Sequence, residues 1–197
     1  MEFDDVIAKR NSARKFNRKK PSWKDILEAV DAAVQGPFAS NKNNLRFLIV
    51  EGEKKIEEIA EVCEQEWVAD CKVMVLVCSD DAYLEKIFGE KGRIYSRQQA
   101  GAAVYAFCLK LTDLGLDSCW VGAYDDNAVR EKLKIPGNIQ IEAIIPIGYA
   151  SDSSEKKRKP NLESVLYWEE WNNNRRKTSF EEGRELIGSK ILKDEKK

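Results

Sequence analysis

The chain has 197 residues, 43% of them hydrophobic and 34% charged, with a formal net charge of −1. That length suits a single domain with an ample core, and near-neutrality excludes a global electrostatic pull toward nucleic acid or membrane, so any anion site has to be a local cluster. Histidine is absent, which removes a Ser-His-Asp triad, a Cys-His pair and every His-ligated metal site.

In chain order, "FDDVIAKR" from Phe3 predicts a short helix. "PSWKDILEAVDAAVQGP" predicts a stronger one, capped by Ser22 with Asp25 in the capping-box position and stopped by Gly36-Pro37. Its apolar stripe is Trp23, Ile26, Leu27, Val30, Ala33 and Val34. Arg46–Gly52 reads as a buried strand, "EKKIEEIAEVCEQEWVA" as an amphipathic helix, and Cys71–Ser79 as a second buried strand. Tyr95–Gly115 is a long helix whose middle, "AGAAVYA", is small and apolar nearly all round, as expected of a helix buried centrally or against a partner helix. "SCWVGA" is a third strand. "DNAVREKLKIP" is a short helix that Asp125 or Asp126 can cap, and Ile139–Ala150 is a fourth strand. "SDSSEKKRKPN" is a polar, basic loop, and the segment after Trp168 is a frayed end or a docking arm. Alternating strands and helices predict a layered protein of the α/β or α+β class.

Cys63, Cys71, Cys78, Cys108 and Cys119 form no CxxC pair and lie mostly in apolar runs. They read as buried free thiols in a reducing, cytoplasmic setting. The start "MEFDDVIAKR" does not read as a signal peptide, and no apolar run is long enough to span a bilayer. Neither GxGxxG nor GxxxxGK[ST] occurs.

The stretch "KRNSARKF" and its continuation carry Lys9, Arg10, Arg14, Lys15, Arg18, Lys19 and Lys20 with no acid among them. In extended backbone Arg10, Ser12 and Arg14 share one face, spanning ~13 Å at ~3.3 Å per residue. Two guanidinium forks and a hydroxyl suit a phosphate-bearing, elongated ligand. A solvated basic face, or a weak nucleic-acid patch, is the alternative. A second segment, "GPFASNKNNLRFLIV", places Asn41, Asn43 and Asn44 together, either as amides for a heterocycle's edge or as an ordinary turn.

"KRNSARKF" resembles the opening R-x-S-x-R/K-x-F signature of the FMN-dependent nitroreductase family. "GPFASNKNNLRFLIV" is similar to its A-P-S-x-x-N-x-Q-P-W-x-F segment. "AGAAVYAFCLKLTDLGLDSCWVGAY" resembles its central helix running into G-L-G-S-C-W-I-G, and "IIPIGYA" with "KKRKPNLESVLYW" resembles its closing strand and basic loop. The four landmarks fall in order over residues 3 to 168.

The resemblance implies an α+β fold, a mixed sheet flanked by helices, in an intertwined homodimer with FMN at the interface. It implies an FMN-binding domain over residues 1–168, with residues 169–197 as a tail or arm. Arg10 and Ser12 match the grip on the FMN phosphate and ribityl chain, and Arg14 the basic residue near the pyrimidine end, an electrostatic role in catalysis. Pro37, Phe38, Ala39 and Asn41 match the loop approaching the flavin, commonly from the other subunit. Gly122 and Ala123 match a backbone contact with the ring. Arg158, with Lys156 as backup, matches the late basic residue of the phosphate site.

The implied activity is ping-pong transfer of reducing equivalents from NAD(P)H through FMN to nitroaromatics, quinones or similar acceptors. The same scaffold also hosts reductive dehalogenation and specialised dehydrogenases. The interval "DDAYLEKIFGEKGRI" is short for a substrate lid, which favours the simpler reductases. Nothing in the sequence reads a nicotinamide 2′-phosphate. Phe38 replaces a small serine and is expected to narrow the cleft. Asn44-Leu45 replaces Pro-Trp and is expected to change the loop's course. Gln65 falls near a family flavin contact, but its surroundings match poorly. Cys119 reads as core packing.

Overall fold

The run Val73–Asp80 forms strand β2, which is buried along nearly all of its length. It lies between β1 (Leu45–Val50) and β4 (Ile139–Gly148), and β3 (Asp117–Ser118) completes a sheet of order β1-β2-β4-β3. Continuous apolar runs in β2 and β4 follow from this central position, because both faces are covered. All named strand pairs are antiparallel, and an isolated bridge between Ser12 and Ser118 adds a parallel contact. The computed structural model describes residues 1–152 and 162–173.

Alternate residues of the strands feed two cores. Val73, Val75, Val77, Ala143, Ile145 and Ile147 face α2 (Trp23–Val34) and α5 (Lys91–Asp113) around a fully buried Phe107. Met74, Leu76, Cys78, Ile141 and Ile144 face the layer that contains α3 (Glu53–Val62) and α6 (Asp126–Leu133). The register shifts between Val77, opposite Ala143, and Cys78, opposite Ile141. Glu142 is therefore the extra residue of a β-bulge, which turns it out of the ladder.

Several expectations are corrected in detail. Ser22 does cap α2, its Oγ accepting the Lys24 N–H at 3.2 Å. However, the buried face of α2 is Ile26, Ala29 and Ala33, while Trp23 and Leu27 of the expected stripe are exposed. The helix after Gly52 stops at Val62, because Glu64 takes a left-handed conformation before a 3₁₀ turn at Glu66–Asp70. The interval before the long helix holds a further helix, α4 (Asp81–Phe88), capped by the Asp80 side chain on the Tyr83 N–H. The expected third strand over Ser118–Ala123 reduces to Asp117–Ser118 and a lone bridge from Val121 to Ile144. Pro146 faces this segment, accepting the Cys119 N–H at 3.3 Å, and has no N–H to return.

Ahead of α2, residues 10–17 run extended across the end of the sheet. The Ala13 N–H donates to the Ser118 C=O at 3.1 Å, the Asn17 N–H to Tyr149 at 2.9 Å, and the Ser151 N–H to Lys15 at 3.1 Å. Ala13 and Phe16 point inward, and the Phe16 ring occupies the space above Gly148, where a Cβ would lie 2.7 Å from it.

All of this belongs to one compact unit, Arg10–Ser154. A second unit contains Met1–Lys9, with helix α1 (Phe3–Lys9), and the described residues 162–173, which include a 3₁₀ turn at Leu162–Val165 and a ring contact between Tyr167 and Trp171 at 4.9 Å.

Candidate functional site

The extended course of residues 10–17 sets Arg10, Ser12 and Arg14 around the end of β3. Burial pushes the Cys119 thiol up, while hydrogen bonds from Arg14 and Ser12 and the charges of Arg14 and Arg10 pull the other way. The buried Cys108 of α5 is raised by the same desolvation, opposed by the Ser118 hydroxyl and the Arg10 charge. The two arginines and the serine thus converge on one place. Gly122 and Ala123 follow a few residues along the same segment, exposed, and nothing stands within 4 Å of where a Gly122 Cβ would be.

The rest of the basic run is different. Lys15 pairs with Asp152 at 2.8 Å, Lys20 with Glu51 at 3.3 Å, and Lys19 sits 4.1 Å from the Tyr149 ring centre. Those cations are a solvated, internally paired surface. Among the described residues neither Arg10 nor Arg14 has a carboxylate partner. A phosphate fits this donor set, because two guanidinium groups and a hydroxyl all donate and no carboxylate of the described residues answers their charge. Lys156 and Arg158 lie outside the described residues.

The loop that contains Pro37, Phe38, Ala39 and Asn41 is a 3₁₀ turn whose residues Ser40 (φ 48°) and Asn41 (φ 57°) are left-handed. Each such non-glycine residue costs about 1–2 kcal/mol. Phe38 is partly buried and packs on the main core, so its ring anchors the loop. Asn44, read from sequence either as an amide for a heterocycle's edge or as part of an ordinary turn, is 1% exposed and forms the hub that fixes the loop to α5. The loop meets α5 at Gln99, nine residues before Cys108, or roughly 13 Å along the helix axis at 1.5 Å per residue. Within one chain the loop and the arginines are set apart by that much of the helix. Gln65 uses its amide oxygen to accept the Trp67 indole N–H at 3.2 Å.

A buried polar cluster escaped the sequence reading. Arg97 of α5 meets Asp81, Ser79 and the bulge residue Glu142, whose hydroxyl and carboxylate neighbours also bond one another. An acid within an apolar strand is the one local signal for it, since a buried carboxylate needs a partner. That partner lies 45 positions away.

All five cysteines are free and buried. Among the described residues no group of three or more Cys, Asp or Glu side chains is arranged to hold a metal, and no helix is long and apolar enough to cross a membrane.

A layered α+β domain gathers at a sheet end a serine and two arginines that have no carboxylate partner among the described residues. The family model described as the nitroreductase family matches residues 7–69 and 60–149. The chain belongs to the nitroreductase family and is an oxidoreductase. An iodotyrosine deiodinase of Thermotoga neapolitana is 30% identical over 168 residues, spanning 77% of this chain and 90% of that protein. A Methanothermobacter thermautotrophicus protein, provisionally named an NADH dehydrogenase/NAD(P)H nitroreductase, is 30% identical over 158 residues, 78% of this chain and 80% of its own. An FMN-dependent nitroreductase structure from Clostridium difficile R20291 superposes with a TM-score of 0.72 at 19% identity, covering 84% of this chain and 98% of that one.

Proposed function

We propose that the protein binds FMN through Arg10, Ser12 and Arg14 and uses it to pass reducing equivalents from NAD(P)H to a nitroaromatic, quinone or similar small acceptor. The observation that carries this reading is the pair of arginines without carboxylate partners among the described residues, meeting Ser12 beside Cys119 next to an open Gly122. FMN, when bound, supplies the hydride chemistry, so a chain without histidine needs no protein nucleophile. Arg10 and Ser12 hold the phosphate and ribityl end, and Arg14 places positive charge toward the pyrimidine end. Gly122 and Ala123 offer bare backbone to the ring, and Lys156 or Arg158 completes the phosphate site.

The loop Pro37, Phe38, Ala39 and Asn41 meets the flavin of a second copy of the chain. Its separation from the arginines along α5 supports this arrangement. So does the outer stripe of that helix, where Ile94 is 55% and Tyr105 48% exposed and Gly101 has open space before it. Residues 1–168 form the flavin-binding part, with 169–197 appended. The buried thiols support a cytoplasmic setting.

The likeness to the deiodinase favours one other reading, reductive removal of a halogen from an aromatic substrate on the same flavin. The deciding experiment is the visible spectrum of the purified protein, before and after anaerobic NADH and then NADPH. Flavin bands that bleach establish the reductive half-reaction and name the donor. Bands that persist with both, together with halide release under dithionite, favour the dehalogenase. Absence of bands after incubation with FMN refutes the flavin site.

A further inference from the structure

The left-handed pair Ser40 and Asn41 needs support from outside the loop. Gln99, 4% exposed, supplies it from α5. Its Oε1 accepts the Ala39 N–H at 3.2 Å. Its Nε2 donates one hydrogen to the Lys42 C=O at 3.2 Å and the other to Asn44 Oδ1 at 2.6 Å. One carboxamide thereby closes both ends of the turn and spends both its donors.

The orientation of that amide is itself determined. Asn44 Nδ2 donates to Ser96 Oγ at 2.8 Å and to the Asp80 C=O at 3.0 Å. Ser96 donates to Asp81 Oδ1 at 2.7 Å, and Arg97 holds the Asp81 carboxylate. An ionised carboxylate only accepts, so every bond from Gln99 to Asp81 runs in one direction. A flipped Asn44 would set its oxygen against the Asp80 carbonyl.

We infer that Gln99 is a positioning residue of the flavin site, holding the Pro37–Lys42 loop in the shape that meets the ring. It acts through the backbone of Ala39 and Lys42, with Asn44, Ser96 and Asp81 fixing its amide. The inference rests on the reading above, in which this loop lies against bound FMN.

The test uses the full-length wild type, Gln99→Met and Gln99→Glu, each stripped of flavin and titrated with FMN, with visible spectra and melting curves alongside. Methionine keeps the length of the side chain and loses all three bonds. Its FMN Kd is expected to rise about tenfold, with an altered visible flavin band. Glutamate keeps the acceptor for Ala39, and when protonated it regains one donor. Its FMN Kd should therefore return toward wild type as the pH falls, a recovery that lost packing alone would not produce. Wild-type Kd and spectrum in both variants would overturn the inference and leave the proposed function standing. Failure of the wild type to bind FMN overturns both. If Gln99→Met does not fold, the pH series of Gln99→Glu decides: recovery at low pH supports the inference, and a pH-independent Kd overturns it.

Discussion

Arg97 closes on Asp81 with two hydrogen bonds, Nη2 to Oδ2 at 2.7 Å and Nη1 to Oδ1 at 3.2 Å. The same guanidinium also serves Glu142, so one cation answers two carboxylates that are 10% and 9% exposed. Arg97→Ala would leave both unpaired and should cost about 3 kcal/mol, the low end of the range for a broken buried pair, because Arg97 is itself 45% exposed. Chemical denaturation checks this. The other half of a charge-matched comparison, Arg97→Ala with Glu142→Gln, should recover part of the loss.

The cluster also has a pH signature. Burial raises the Glu142 carboxyl above its usual 4.5, more than the Ser79 hydrogen bond and the Arg97 charge lower it, and the Asp81 charge adds to the rise. Cys78 and Tyr124 also lie within reach of its charge. A folded state that holds this proton more tightly than the unfolded chain gains stability below about 4.5 and loses that gain as pH climbs through the folded pKa. The melting temperature of Glu142→Gln, measured relative to wild type, should therefore become more favourable from acid to neutral pH. A constant difference would contradict this.

Gly148→Ala drives a methyl group into Phe16, whose side-chain atoms stand 2.7–3.2 Å from the new Cβ. Overpacking of this kind costs about 1–3 kcal/mol. Since Phe16 belongs to the segment carrying Arg10, Ser12 and Arg14, FMN affinity should fall together with the melting temperature.

Removing a cation from the proposed phosphate grip is a sharper probe. Arg10→Ala or Arg14→Ala should raise the FMN Kd by roughly 10- to 100-fold, as expected for charge-assisted bonds worth about 1.5–3 kcal/mol. Lys15→Ala, on the paired outer face with Asp152, should leave binding and stability unchanged. Flavin retained in full by both arginine variants would remove those residues from the site.

Burial pushes the Cys63 and Cys78 thiols up to about 11 and the Cys71 thiol to about 12. At neutral pH none of the three presents a thiolate. Alkylation followed by mass spectrometry should leave them unmodified in the folded protein and label them promptly in denaturant.

What could be read in advance follows physical range. β2 and α2 were legible because period, capping and burial are written within a few neighbouring residues. The shortening of β3 was not, since it depends on Pro146 standing opposite Cys119. Arg10, Ser12 and Arg14 were legible as a face because alternation is a local property. Their distinction from Lys15 and Lys20 needed Asp152 and Glu51, remote acids that neutralise one end of the run. Asn44 and Gln99 had no local signature, as their meaning lies in each other.

The segment from Arg10 to Asn17 is stitched to Ser118, Tyr149 and Ser151, more than a hundred positions downstream. A chain emerging from the ribosome therefore carries its arginines for nearly the whole of synthesis before the sheet edge that orders them exists. Long-range closure of this kind is slow. The Arg10–Ser12–Arg14 cluster is consequently a late product of biosynthesis, and a nascent chain interrupted before β4 would contain all three residues without the geometry that brings them together.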